Sequence, residues 1–166
     1  MFAYALRMGV VKENPCSRIV LPERQESEKK IFTIEETQAF LDALDGEPLR
    51  YVVFFVLAIF GGYRREELLG FEFRDFNFTT NVVTVEHVSL YDPAHGIFTG
   101  PPKTARSHRS LKLPVWIFDM VKALRAEQSM RRMELGDQWH ESGRLFTKLD
   151  GSPARPGDFY DWGKEL

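Results

Sequence analysis

The sequence predicts an α+β fold, mainly helical with a small three-stranded antiparallel sheet. Helical periodicity bounded by prolines, glycines and a capping signal recurs over about 34–45, 48–60 and 115–134. Between the second and third of these, Val82–Leu90, Ile97–Thr99 and Arg109–Leu113 read as strands separated by turn residues. The 166 residues suit one domain with an appendage.

Taken in order, Met1–Met8 reads as the end of a helix stopped by Gly9, with no start signal before it, as in a piece of a longer chain. Residues 10–31 lack periodicity, contain Asn14-Pro15 and Leu21-Pro22 and end in the mixed-charge run Glu23–Lys30, an exposed linker. Thr33-Ile34-Glu35-Glu36 is a capping box, in which the hydroxyl accepts from a first-turn amide and Glu36 reaches back. The helix it opens carries Phe40, Leu41 and Leu44 on one side. Pro48 opens the next helix, apolar all round and therefore expected to be central and buried.

Gly61-Gly62 ends that helix, and Arg64-Arg65-Glu66-Glu67-Leu68-Leu69 starts a short one that stops near Gly70. Val82–Leu90 alternates after the turn residues Thr79-Thr80-Asn81, and Asp92–Gly96 is a loop. Pro114 opens a long helix with Val115, Phe118, Val121 and Leu124 at helical spacing, closed by Gly136. Leu145-Phe146 is expected to be a brief strand, Asp150-Gly151 a turn, and 156–165 a last helix.

The composition excludes several classes. With one cysteine (Cys16) there is no internal disulfide framework. The longest apolar run, Tyr51–Phe60, is half of what a membrane span takes, so a cytoplasmic protein with no membrane partner is the expectation. His87 and His95 stand in no metal-ligand spacing, and Gly61-Gly62 is too short for a phosphate loop. The net charge of −2 hides a segregation: residues 1–100 carry net −5, residues 101–132 net +6 and residues 133–166 net −3. A local basic stretch attracts polyanions even in a slightly acidic chain, although a solvated helix face has the same composition.

Two elements could carry chemistry. Arg64, just after the double glycine at a helix start, is placed to grip a phosphate bidentately, and Glu67 three residues on shares its face and can hold the guanidinium. Arg65 points about 100° away round the helix. Pro101–Arg109 then joins two strands, and Lys103, Arg106, Arg109 and Lys112 fall within it or just beyond with no acid between them. A hairpin lysine can enter a groove, and lysine becomes a proton donor when partly desolvated. The bland alternatives are a surface salt bridge and a solvated hairpin tip.

Gly62-Tyr63-Arg64-Arg65-Glu66-Glu67-Leu68-Leu69-Gly70-Phe71 followed by Asp75-Phe76-Asn77 resembles the first catalytic box of the tyrosine recombinases, the phage-type integrases. Pro102-Lys103-Thr104-Ala105-Arg106-Ser107-His108-Arg109 resembles their hairpin box. Asn14-Pro15-Cys16, Thr33–Glu36 and Leu145–Pro153 resemble flanking pieces, so the likeness runs end to end. It implies residues 1–30 as the end of a core-binding domain plus linker, and residues 31–166 as an incomplete catalytic domain.

The resemblance further implies DNA strand cleavage and rejoining without metal or cofactor, through a 3′-phosphotyrosyl link. Arg64 would neutralise charge on the phosphorus, Lys103 would protonate the leaving 5′-oxygen, and Glu67 would support. Arg106, His108, Arg109 and Lys112 would touch phosphates of double-stranded DNA at attachment sites. The complete protein would work as a tetramer on that DNA.

The family's His-x-x-Arg pair and nucleophilic tyrosine are not matched in residues 114–166. His140–Arg144 has the wrong spacing, and Tyr160 is expected to be a packing residue. The chain thus reads as a recombinase fragment that forms no covalent DNA adduct by itself. The alternatives are a non-catalytic DNA-binding or regulatory relic of an integrase, and an α+β protein in which Arg64 and Lys103 are ordinary surface residues.

Overall fold

Two proline-opened helices carry the core. In the computed structural model, which describes residues 2–20, 31–102 and 108–163, helix α3 spans Leu49–Gly61 and α5 spans Val115–Leu135. Pro48 and Pro114 are their N-caps, where a missing N–H costs nothing. One face of α3 (Val53, Phe54, Val56, Leu57) packs against Ile117, Phe118, Val121 and Leu124 of α5, all buried. Each such side chain contributes about 1.5–3 kcal/mol by leaving water. The rest of α3 is mostly half-buried and Phe60 is exposed, so the all-round apolar pattern marks a lateral element as much as a central one.

The chain divides into two units, Met1–Thr33 and Ile34–Leu166. In the first, α1 (Phe2–Arg7) is followed by Gly9 in the left-handed region. A 3-10 turn at Pro15–Arg18 is capped by Asn14, whose side-chain oxygen accepts from the Cys16 N–H at 3.0 Å. This turn lies inside the stretch expected to be featureless; the charged run 23–30 lies outside the described residues.

The second unit holds everything else. Helix α2 (Ile34–Ala43) joins the core through Phe40, whose ring meets Phe55 edge-on at 5.3 Å. Helix α4 is Arg65–Gly70 and α6 is Pro156–Trp162. Phe159 of α6 stacks on Phe54 at 4.2 Å and Trp162 on Tyr51 at 4.3 Å. Tyr160, expected to pack, is 59% exposed, because the helical turn that buries Phe159 aims its neighbour outward.

The small antiparallel sheet is present with different members. Its order is β1 (Phe76–Asn77), β2 (Val82–Val85) and β5 (Arg109–Lys112), with Val83 opposite both Phe76 and Leu111. Val82–Leu90 is not one strand. The buried positions are Val83 and Val85, then Val88 and Ser89, so the alternation breaks at Glu86-His87 and a new strand, β3 (Val88–Asp92), begins. It forms a separate hairpin with β4 (Gly96–Gly100), which contains the expected Ile97–Thr99. Leu145-Phe146 is likewise not a strand but a fully buried link between two isolated bridges, Glu72–Arg144 and Thr147–Pro153.

Candidate functional site

The site is built where α3 ends. Gly62 caps α3 in the left-handed conformation (φ 57°, ψ 30°) and donates its N–H to the Ala58 carbonyl at 3.0 Å. A side chain on Gly61 would collide with the ring of Tyr63, which is buried and meets Phe71 edge-on at 4.9 Å. The two glycines therefore turn the chain and let Tyr63 anchor it, which delivers Arg64 to the N-cap of α4 in extended conformation.

Glu67, three residues on, returns to that cap as a capping-box glutamate does: the Arg64 N–H donates to Glu67 Oε2 at 2.9 Å. Arg64 Nη1 donates to Oε1, also at 2.9 Å. From the far strand β5, Arg109 closes on the same carboxylate with Nη1 to Oε1 at 3.1 Å and Nη2 to Oε2 at 2.8 Å. Its Nη2 also approaches the Gly62 carbonyl at 3.5 Å, and its guanidinium carbon sits 5.3 Å from the Tyr63 ring centre.

Glu67 is buried, yet its carboxyl is held below the usual range. Burial alone pushes it up, but the Arg109 hydrogen bonds and those from the Arg64 backbone and side chain outweigh that cost. The Arg109 guanidinium is shifted up by its bonds to Glu67. Burial raises the Tyr63 phenol to about 12, offset in part by Arg109 and reinforced by Glu67. Tyr63 is thus protonated at neutral pH, and its buried hydroxyl has no hydrogen-bond partner among the described residues, which suits a packing group rather than a nucleophile.

Two guanidiniums around one carboxylate leave a net positive charge. The Arg64 side chain is 66% exposed while that of Glu67 is 2% exposed. Among the described residues the Arg64 side chain donates to Glu67 through Nη1, and its large exposure leaves further N–H donors accessible to an anion. This arrangement can bind and polarise a phosphate.

The structure therefore joins Arg64, Glu67 and Arg109. His108 is exposed just before β5, and Lys112 is exposed at the other end of that strand. Lys103 and Arg106 lie outside the described residues. The partnership of Arg109 with Glu67 escapes sequence reasoning because 42 residues separate them. A signal was present: strand alternation puts Arg109 on the same face as the half-buried Leu111, opposite Ser110 and Lys112.

Arg144 is a second missed residue. Buried, it donates from Nη1 to the Leu69 carbonyl at 2.9 Å and from Nη2 to Thr99 Oγ1 at 2.6 Å, tying the end of α4 to β4. Among the described residues no group of three or more His, Cys, Asp or Glu could hold a metal ion, and no helix is long and apolar enough to cross a membrane.

Comparison with known proteins bears on the chain as a whole. No family model matches the chain. It is 30% identical over 163 residues to a XerC-like tyrosine recombinase of Caldanaerobacter subterraneus, covering 88% of this chain and 41% of that protein. It is 27% identical over 155 residues to an integrase of Streptomyces ambofaciens, covering 90% and 39%. The fold matches the Tn1549 transposon integrase, solved with a circular intermediate DNA, at a TM-score of 0.71 and 18% identity, covering 99% of this chain and 55% of that one.

The class these observations point to is that of the tyrosine recombinases and integrases, which the chain resembles over most of its own length. It is also similar to the ICEBs1 integrase of Bacillus subtilis (21% identical over 159 residues, covering 96% of this chain and 43% of that one). The chain spans about two fifths of the length of the curated relatives it matches.

Proposed function

We propose that this chain supplies the arginine and hairpin part of a DNA strand-cleaving and rejoining site in a site-specific recombinase. The observation that carries the reading is Arg64, fixed at the α4 cap by a buried, ionised Glu67 and open to solvent on its other donors. Residues 31–166 then belong to the catalytic domain, and residues 1–30 end a core-binding domain and link it.

On this reading a tyrosine oxygen from outside the matched boxes attacks a DNA phosphorus, and the bond to the 5′-oxygen breaks. The strand's 3′-phosphate stays on the tyrosine until a 5′-hydroxyl of another duplex displaces it. Arg64 neutralises the charge that builds on the phosphoryl oxygens, and needs no reorganisation at that moment because Glu67 already orients it. Lys103 gives a proton to the leaving 5′-oxygen. Arg106, His108 and Lys112 position the duplex through its phosphates. The partner is double-stranded DNA at attachment sites, the assembly a tetramer on that DNA, and the compartment the cytoplasm. Support for the partner comes from the Tn1549 integrase, whose solved structures contain DNA.

In a version of the chain extended to a catalytic tyrosine, Arg64→Ala and Lys103→Ala should each slow cleavage of a suicide duplex about 100-fold or more with unchanged circular dichroism. Cleavage at the unsubstituted rate would overturn the assignment.

A further inference from the structure

Arg109 opens β5 just after the basic stretch that links β4 and β5, strands of two different sheets, and its sequence neighbourhood marks it as a phosphate contact. Its geometry marks it otherwise. Both terminal nitrogens face the two oxygens of Glu67 in a fork, at 3.1 and 2.8 Å, and one of them also faces the Gly62 carbonyl. Its plane lies by the Tyr63 ring, and its side chain is 32% exposed against 66% for Arg64. An arginine meant for DNA needs its fork free, because bidentate phosphate binding uses the same two nitrogens.

Glu67 in turn needs Arg109. Its carboxylate is buried, and two of the hydrogen bonds that hold it in place come from Arg109, while Arg64 is largely exposed. The backbone N–H of Arg64 also depends on that carboxylate, at 2.9 Å. One bond therefore leads to the next: β5 fixes Arg109, Arg109 fixes Glu67, and Glu67 fixes both the backbone and the side chain of Arg64.

We infer that Arg109 is a positioning residue for Arg64, acting through Glu67 and not through DNA. The inference rests on the proposed role of Arg64 in gripping a DNA phosphate. It also joins two parts of the proposed site: the strand that follows the basic stretch is the one that sets the arginine at the α4 cap. Lysine cannot replace Arg109, because a single ammonium does not bridge both oxygens in a plane.

Two measurements on this chain test it, with Arg109→Ala and Arg109→Lys beside the unsubstituted protein. The first is hydrogen exchange of the Arg64 backbone amide by NMR, referred to the Leu68 amide, which donates to the Arg64 carbonyl in the same turn. Exchange at Arg64 should rise about tenfold relative to Leu68 in both variants. The referral separates this loss from general unfolding, and Arg109→Lys keeps the charge if Arg109→Ala fails to fold.

The second is the dependence of duplex DNA affinity on salt. Removing a phosphate contact lowers the logarithmic slope by about 0.9, whereas removing a residue that only orients Arg64 weakens affinity while the Arg64 charge still pairs with its phosphate, which leaves the slope unchanged. An unchanged slope with faster Arg64 exchange supports the inference. A slope reduced by one contact, or Arg64 exchange unaltered in either variant, overturns it. Failure of the unsubstituted chain to bind duplex DNA at low salt would count against the recombinase reading instead, and leaves the exchange test standing.

Discussion

Two buried carboxylates eight residues apart, Glu67 and Asp75, are treated in opposite ways by the fold. Among the described residues Glu67 accepts four hydrogen bonds, all from arginines, and its carboxyl is shifted down. Asp75 caps the 3-10 turn Phe73–Asp75 by accepting the Glu72 N–H at 2.8 Å, and its carboxyl is shifted up. Burial is the largest cause there; the Glu72 N–H and His87 oppose it, and the charges of Glu72 and Glu86 reinforce it. His87 Nε2, buried with no hydrogen-bond partner among the described residues, lies 3.6 Å from Asp75 and 3.5 Å from Glu72. The nearby Arg144 spends its donors on Leu69 and Thr99. Burial is thus common to both carboxylates, and the direction of the shift follows from whether a guanidinium fork is aimed at the group.

The comparison breaks most visibly if Glu67 is removed. Glu67→Ala leaves two guanidiniums facing each other and should cost about 3–5 kcal/mol by urea unfolding, whereas Asp75→Asn should change stability by about 1 kcal/mol or less near neutral pH. Next in size is Arg144→Met, which strands the Leu69 carbonyl and should cost about 1–3 kcal/mol in the same assay.

A pH series sharpens the contrast in sign. The folded pKa of Glu67 lies below its ordinary 4.5, so its contribution is complete above that value and is lost as pH falls through the folded pKa. Glu67→Gln should flatten that acid limb. The folded pKa of Asp75 lies above its ordinary 3.8, so the wild type loses stability as pH rises through that window. Asp75→Asn should therefore gain on the wild type as pH rises there, the reverse of the Glu67 result. The smallest effect is expected at the exposed pair Lys122–Asp119, 2.8 Å apart, where Asp119→Asn should change stability by under about 0.5 kcal/mol.

The helices were legible because punctuation and periodicity agree: Pro48 with Gly62 and Pro114 with Gly136 bracket α3 and α5. The sheet was harder. β1 has two residues, too few for any alternation, and the break at Glu86-His87 shows only as a change of parity from Val83 and Val85 to Val88. Arg64 and Glu67 could be paired from sequence since they are three apart on one helix start. Arg109 could not, because its partnership is made by the β2–β5 register, which puts Val85 opposite Arg109 and brings that strand end to α4. Arg144 was invisible for the same reason: buried arginines are rare, and nothing local distinguishes this one from a surface residue.

The most direct test is a carbon-13 NMR titration of the Glu67 and Asp75 carboxyl carbons in one sample. Glu67 should titrate below 4.5 and Asp75 above 3.8, with Glu67 moving upward in the Arg109→Lys variant while Asp75 stays in place. A Glu67 midpoint at or above 4.5 in the unsubstituted protein would contradict an ionised glutamate clamped between Arg64 and Arg109, and with it the fixed arginine on which the site depends.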